Sequence, residues 1–258
     1  MNLGFIGTGT ISAAIVEGLA PIQPDTRITV SPRNAARAAA LAVRFPNVTI
    51  APTNQAVLDA SDTIVLAVRP QIVTETLAAL NFRSDHHIIS VIPTVTLAWL
   101  RSATAPATHI TRAIPLPSVA HRHGPTAVYP ASPDVSALFN LLGTAITLDR
   151  EEEFDAFTVA TSAMSSYFGF AATLTTWMER QGVDPDKSRI FASQMFQGLS
   201  ATASAEPNLT FAELAKEHET PGGLNEQVLR TISTAGLLTQ LDQALDDILT
   251  RIQSGPTK

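Results

Sequence analysis

Two short segments near the start of the chain hold residue types that can do chemistry. Gly7-Thr8-Gly9-Thr10-Ile11-Ser12 follows the apolar run at 3–6 and opens a helical pattern. The first glycine of such a loop permits a tight turn, and the second lets backbone approach a diphosphate. The third position, Ser12 here, needs only a small residue where helix meets sheet. The amides of Thr10 and Ile11 then belong to a helix N-terminus, where unpaired N–H groups and the dipole favour an anion. About 20 residues further on, an NAD site has an acid that accepts from the ribose 2′-hydroxyl. This chain has Val30-Ser31-Pro32-Arg33-Asn34 there, without an acid. Arg33 offers a planar fork to a 2′-phosphate and Ser31 and Asn34 offer neutral donors, so the expected cofactor is NADP, as NADPH.

These groups need a scaffold, and the apolar pattern supplies one. Short apolar runs at 3–6, 27–30, 48–50, 63–68, 87–91, 109–113, 126–129 and 144–148 alternate with helical stretches at 11–19, 34–43, 54–60 and 72–80. That alternation is the signature of βα units in a mostly parallel sheet. The expectation is an α/β fold: a Rossmann-type NADP-binding domain over residues 1–149, then an all-helical domain over residues 150–258. In the second part Glu151, Glu152 and Glu153 open a helix that no proline interrupts as far as Arg180. Asp184-Pro185 starts another, Thr210 and Glu213 form a capping box, and Pro221-Gly222-Gly223 breaks before a further helix. Leu237, Leu238, Leu241, Leu245, Ile248 and Leu249 make an apolar stripe on the last helix, which a homodimer formed through the C-terminal helices would bury.

Bulk properties remove whole classes of function. A net charge of −6 with no basic run leaves nothing to grip nucleic acid. The absence of cysteine excludes disulfides and thiolate metal sites, and the six histidines have no metal-ligand spacing. No apolar run approaches the roughly 18 residues of a membrane span. The start of the chain lacks the charged and apolar regions of a signal peptide. A cytoplasmic protein with a small-molecule substrate is expected, with no metal, nucleic acid or membrane partner.

Several segments, in order, resemble the pyrroline-5-carboxylate reductase family of the 6-phosphogluconate-dehydrogenase-like group. These are Gly4-Phe5-Ile6-Gly7-Thr8-Gly9, Asn54, Ala67-Val68-Arg69-Pro70-Gln71, Arg112-Ala113-Ile114-Pro115 and Thr220-Pro221-Gly222-Gly223. The resemblance implies that Ala67, Arg69 and Pro70 lie along the nicotinamide half of the cofactor and Asn54 near the adenosine ribose. Pro115 closes the strand that faces the substrate. It also implies NADPH-dependent reduction of a cyclic imine carboxylate, 1-pyrroline-5-carboxylate, to proline.

On that reading the Gly222 and Gly223 amides hold the substrate carboxylate, Thr220 adds a donor, and Asn225 takes the place of a family threonine near the imine. The chain departs from the family pattern at Leu116-Pro117, at 161–167 where only Tyr167 is kept, and at Leu224-Asn225. These departures gather around the substrate. They keep open a related NADP-dependent reductase of another imine or of a hydroxy or keto acid, and a silent NADP-binding protein. Against the hydroxy-acid enzymes of the same architecture, which use a lysine on the long helix, this chain's lysines are Lys187, Lys216 and Lys258, none of them between residues 152 and 180.

Overall fold

The computed structural model describes residues 1–254. Their first unit, Met1–Val159 with the end of the chain from Leu249, is built on one sheet. Its elements are β1 (Asn2–Ile6), α1 (Thr10–Leu19), β2 (Arg27–Val30), α2 (Ala35–Arg44), β3 (Val48–Ile50), α3 (Asn54–Asp59), β4 (Thr63–Leu66) and α4 (Val73–Ala78). They continue with β5 (His87–Ser90), α5 (Leu97–Ala103), β6 (His109–Pro115), β7 (Pro125–Tyr129), α6 (Pro133–Asn140), β8 (Thr144–Thr147) and α7 (Glu151–Thr161).

The strand order is β3-β2-β1-β4-β5-β6-β7-β8, parallel except where β7 runs antiparallel to β6. All eight expected strands are present. The expected helical stretches do not include α5 and α6. Only their starts were written in the sequence: Thr96, whose hydroxyl accepts from the Trp99 amide, and Pro133 in a first turn.

The sheet is covered on both faces, which explains why its strands read as unbroken apolar runs. Leu3, Phe5 and Val65 join α1 and α2 residues such as Ile15, Leu19 and Leu41 in one buried cluster. Ile6, Ile64 and Leu66 join Val57, Leu58 and Leu77 in the other. Each such side chain removed from water contributes about 1.5–3 kcal/mol. The order reverses direction between β1 and β4, and a doubly wound sheet binds ligands in the crevice outside its strand ends at such a point.

In the second unit, Ala160–Ile248, every regular element among the described residues is a helix. It contains α8 (Met164–Arg180), α9 (Pro185–Ala205), α10 (Phe211–Glu217), α11 (Leu224–Thr234) and the greater part of α12 (Leu237–Gln253). Asp184 caps α9 through the amides of Asp186 and Lys187, and the Thr210–Glu213 capping box is formed.

The uninterrupted helix expected from Glu151 to Arg180 is two helices instead. At Ala163 the backbone moves to ψ −8° and its amide bonds to Ala160, three residues back, so the helix tightens and restarts at Met164. Absence of proline permits a long helix but does not enforce one. α7 stays with the sheet unit as far as Val159, because Phe154 is fully buried in a cluster with Ile114, Ala127 and Leu148.

Candidate active site

The glycine loop after β1 has the shape its spacing predicts, and its two glycines do different work. Gly7 has φ +98°, and a Cβ there would lie 2.6 Å from the Ala67 carbonyl oxygen. It is glycine for conformation and for close passage to β4. Gly9, the N-cap of α1, has no atom within 4 Å of where a Cβ would sit, so its missing side chain keeps open space rather than packing. Ser12 is fully buried and its hydroxyl donates to the Gly7 carbonyl at 2.6 Å, so it ties the loop to α1.

Around this loop lies a cleft of about 810 Å³ that runs from Arg33, Asn34 and Arg37 past Gly7–Ile11 to Ala67–Arg69 and Val91. It brings together most of the residues expected to hold the cofactor. Asn54 lines an adjoining hollow of about 350 Å³ that shares Arg33 and Ile72 with the main cleft. Pro70 is exposed at the first position of the short 3₁₀ turn Pro70–Ile72, just outside the cleft wall.

Ser31 does not take the role expected of it. Its side chain is fully buried, its Oγ accepts from the Gly7 amide at 2.9 Å, and it lies 3.1 Å from Thr8 Oγ1, which donates to the Ser31 carbonyl at 2.7 Å. Both capacities of the hydroxyl are used in bracing the loop, so it has nothing left for a 2′-phosphate. Asn34 caps α2 through its Oδ1, with the Arg37 amide at 3.4 Å.

The second cation at the Arg33 end of the cleft is Arg37, which sequence reading missed. From the first turn of α2 its guanidinium reaches Thr10 Oγ1 at 3.4 Å. Its place in the first turn of α2, just after the Arg33 loop, is the signal that would have found it. The space over Gly9, the first-turn amides of α1 and two guanidiniums at one end are the surroundings that an NADP diphosphate and 2′-phosphate require.

Pro115 stands apart from this cleft. It is buried in β6, paired with Thr126 of β7. Arg112 of the same strand is 2% exposed, and its guanidinium bonds Glu151 Oε1 at 2.7 Å and the Pro93 carbonyl at 3.0 Å. The ring of Phe154 stacks 3.8 Å away. Burial pulls the Arg112 pKa below the usual guanidinium range, while Glu151 acts to raise it. Glu151 Oε1 also accepts from the Leu97 amide at 2.7 Å. The buried Arg112 and the half-buried Glu151 therefore fasten the loop after β5 at Pro93 and at Leu97, the loop that carries Val91 into the cleft.

In the helical unit, Thr220, Gly222, Gly223 and Asn225 come together in the turn between α10 and α11. Gly222 has φ +71°, which favours glycine, and a Cβ on Gly223 would meet the Thr220 carbonyl at 2.7 Å. The amides of the two glycines are not open as expected. Gly223 donates to the Thr220 carbonyl at 2.7 Å and Gly222 donates to Glu226 Oε2 at 2.6 Å. Asn225 Nδ2 donates one of its two N–H groups to the His218 carbonyl at 2.8 Å, which fixes the orientation of the amide and of its acceptor Oδ1.

Comparison with known proteins finds two family models that match separate parts of the chain. Residues 2–94 match the family model described as NADP oxidoreductase coenzyme F420-dependent. Residues 151–254 match the model described as pyrroline-5-carboxylate reductase dimerisation. A pyrroline-5-carboxylate reductase of Pseudomonas aeruginosa is 26% identical over 95% of this chain and 93% of its own. Along nearly its whole length the chain is similar to pyrroline-5-carboxylate reductases. Solved structures share its fold. The 1-pyrroline-5-carboxylate reductase of Streptococcus pyogenes superposes with a TM-score of 0.84 at 22% identity, covering 99% of both chains. The Plasmodium falciparum pyrroline carboxylate reductase with NADP bound gives 0.83 at 16% identity, covering 98% of this chain and 97% of its own.

Within a pyrroline-5-carboxylate reductase fold, then, this chain keeps an open dinucleotide cleft and fills its α10–α11 turn with its own hydrogen bonds. Among the described residues no helix is long and apolar enough to cross a membrane.

Proposed function

We propose that this protein reduces 1-pyrroline-5-carboxylate to proline with NADPH, as a homodimer in the cytoplasm. The observation that carries the reading is the cleft over Gly9 with Arg33 and Arg37 at its end, in a chain whose relatives along nearly its whole length are pyrroline-5-carboxylate reductases. The NADP recorded in the Plasmodium falciparum relative supports the choice of cofactor.

The first-turn amides of α1, Thr10 and Ile11 among them, hold the diphosphate, and the space over Gly9 lets it approach. Arg33 and Arg37 neutralise the 2′-phosphate, Asn34 adds its amide, and Asn54 meets the adenosine ribose. Ala67 to Pro70 and Val91 form the nicotinamide end. Bound NADPH supplies the hydride, which adds to the imine carbon while the C=N bond becomes C–N.

A cyclic imine arrives protonated, so its nitrogen presents an N–H that needs an acceptor rather than an acid. Asn225 offers that acceptor in Oδ1, and the bond from its Nδ2 to His218 fixes the amide's orientation. Thr220 contributes its hydroxyl, and the first-turn amides of α11 take the place of the Gly222 and Gly223 amides as donors to the carboxylate. Positioning by these groups is the main catalytic contribution.

The test follows NADPH absorbance with 1-pyrroline-5-carboxylate and repeats it with NADH. The expected result is turnover with NADPH preferred. Preference for NADH would overturn the arginine assignment, and no turnover with either would leave a nucleotide binder.

A further inference from the structure

The turn ahead of α11 already holds a carboxylate, and it belongs to the chain. Glu226 Oε2 accepts from the Gly222 amide at 2.6 Å, and its Oε1 lies 3.6 Å from Arg230 Nη1 one turn along the helix. The side chain is 34% exposed, so water and a ligand can reach it. The Gly223 amide is meanwhile spent on Thr220. Of the two glycine amides that resemblance reserves for a substrate carboxylate, one is bonded to backbone and the other to a group with a carboxylate's own charge and shape.

We propose that Glu226 is a specificity-determining residue of this turn: it penalises an imine that carries a carboxylate relative to the same ring without one. The proposal rests on the assignment of residues 220–225 as the substrate turn. A substrate carboxylate seated there must either displace Glu226 from the Gly222 amide or bind beside it, and both are unfavourable for like charges. Arg230 offsets part of that repulsion while it is paired with Glu226, and loss of the Glu226 charge leaves its cation free for the substrate. A ring bearing only the protonated imine meets no such penalty. At this separation and exposure, one like charge is worth on the order of tenfold in binding.

Glu226→Gln separates this role from others that a glutamate in a first helical turn can have. Glutamine keeps the shape and an oxygen that accepts from Gly222, and loses only the charge. Two substrates are compared: 1-pyrroline-5-carboxylate and 1-pyrroline, which is the same ring without the carboxylate. The expected result is a roughly tenfold fall in KM for the carboxylate substrate, with KM for 1-pyrroline unchanged and the melting temperature held. Glu226→Ala, which frees the Gly222 amide altogether, moves the same ratio in the same direction.

Equal changes for the two imines, or none, overturn the proposal. A fall in kcat with both overturns it in favour of a proton-donor role. If the unsubstituted enzyme consumes neither imine, the reductase reading itself falls and takes this assignment with it.

Discussion

At the scale of single residues, the two loop glycines make the sharpest contrast, because the same substitution meets a wall at one and open space at the other. Gly7→Ala puts a side chain at positive φ and against the Ala67 carbonyl. It is expected to destabilise the fold by a few kcal/mol, seen as a lowered denaturation midpoint. Gly9→Ala meets nothing. It should leave the midpoint unchanged and raise the NADPH KM at least about tenfold, since the new methyl stands where the diphosphate must approach. Equal loss of stability in the two variants would contradict the assignment.

The arginines give a second residue-scale prediction. Arg37→Ala should raise the KM for NADPH by about tenfold and leave that for NADH unaltered, because only the former has a 2′-phosphate to pair. The loop and Arg33 were legible from spacing and residue type. Arg37 and the bracing role of Ser31 were not. A hydroxyl looks the same in sequence whether it faces a ligand or a loop amide, and only the Gly7–Ser31 contact decides between them.

At the scale of elements, the strands were legible because burial on both faces leaves short apolar runs in the central ones, such as β1 and β4, which alternate along the chain with helical stretches. Short α5 and the restart between α7 and α8 were not, since neither is enforced by a proline or by long periodicity. Least visible was the strap formed by Arg112 and Glu151. Sequence gave Glu151 only the ordinary favour of an acid in a first helical turn, whereas the structure sets it against the Leu97 amide and a buried guanidinium 39 residues back. Arg112→Met leaves Glu151 without its cation and the Pro93 carbonyl without its donor, at a cost of about 3 kcal/mol in urea unfolding. Arg112→Met combined with Glu151→Gln should recover part of that loss. No recovery in the double variant would show that the two groups act independently.

At the scale of the whole molecule, the helical unit does not close a core of its own. Neither α8 nor α11 has a buried residue, and Phe168, Trp177, Phe191, Leu224 and Val228 are all exposed by more than half. Apolar surface of that extent marks an association surface, and the match of residues 151–254 to a dimerisation model agrees. Sedimentation is expected to give a dimer or a larger assembly of dimers at micromolar concentration. Phe191→Glu should weaken it, whereas a monomer at every concentration would contradict the reading.

The substrate side was the least legible part at this scale. Its residues lie in a turn whose chemistry depends on which amides the chain has already used, and that is a property of the folded turn rather than of the Pro-Gly-Gly sequence.

The central claim is hydride transfer to a carbon–nitrogen double bond, and the most direct measurement supplies NADPH deuterated at its transferable position with 1-pyrroline-5-carboxylate and weighs the product. The account predicts proline carrying one deuterium on the former imine carbon, formed in step with the NADPH consumed. NADPH that binds while the imine is recovered unlabelled would contradict it.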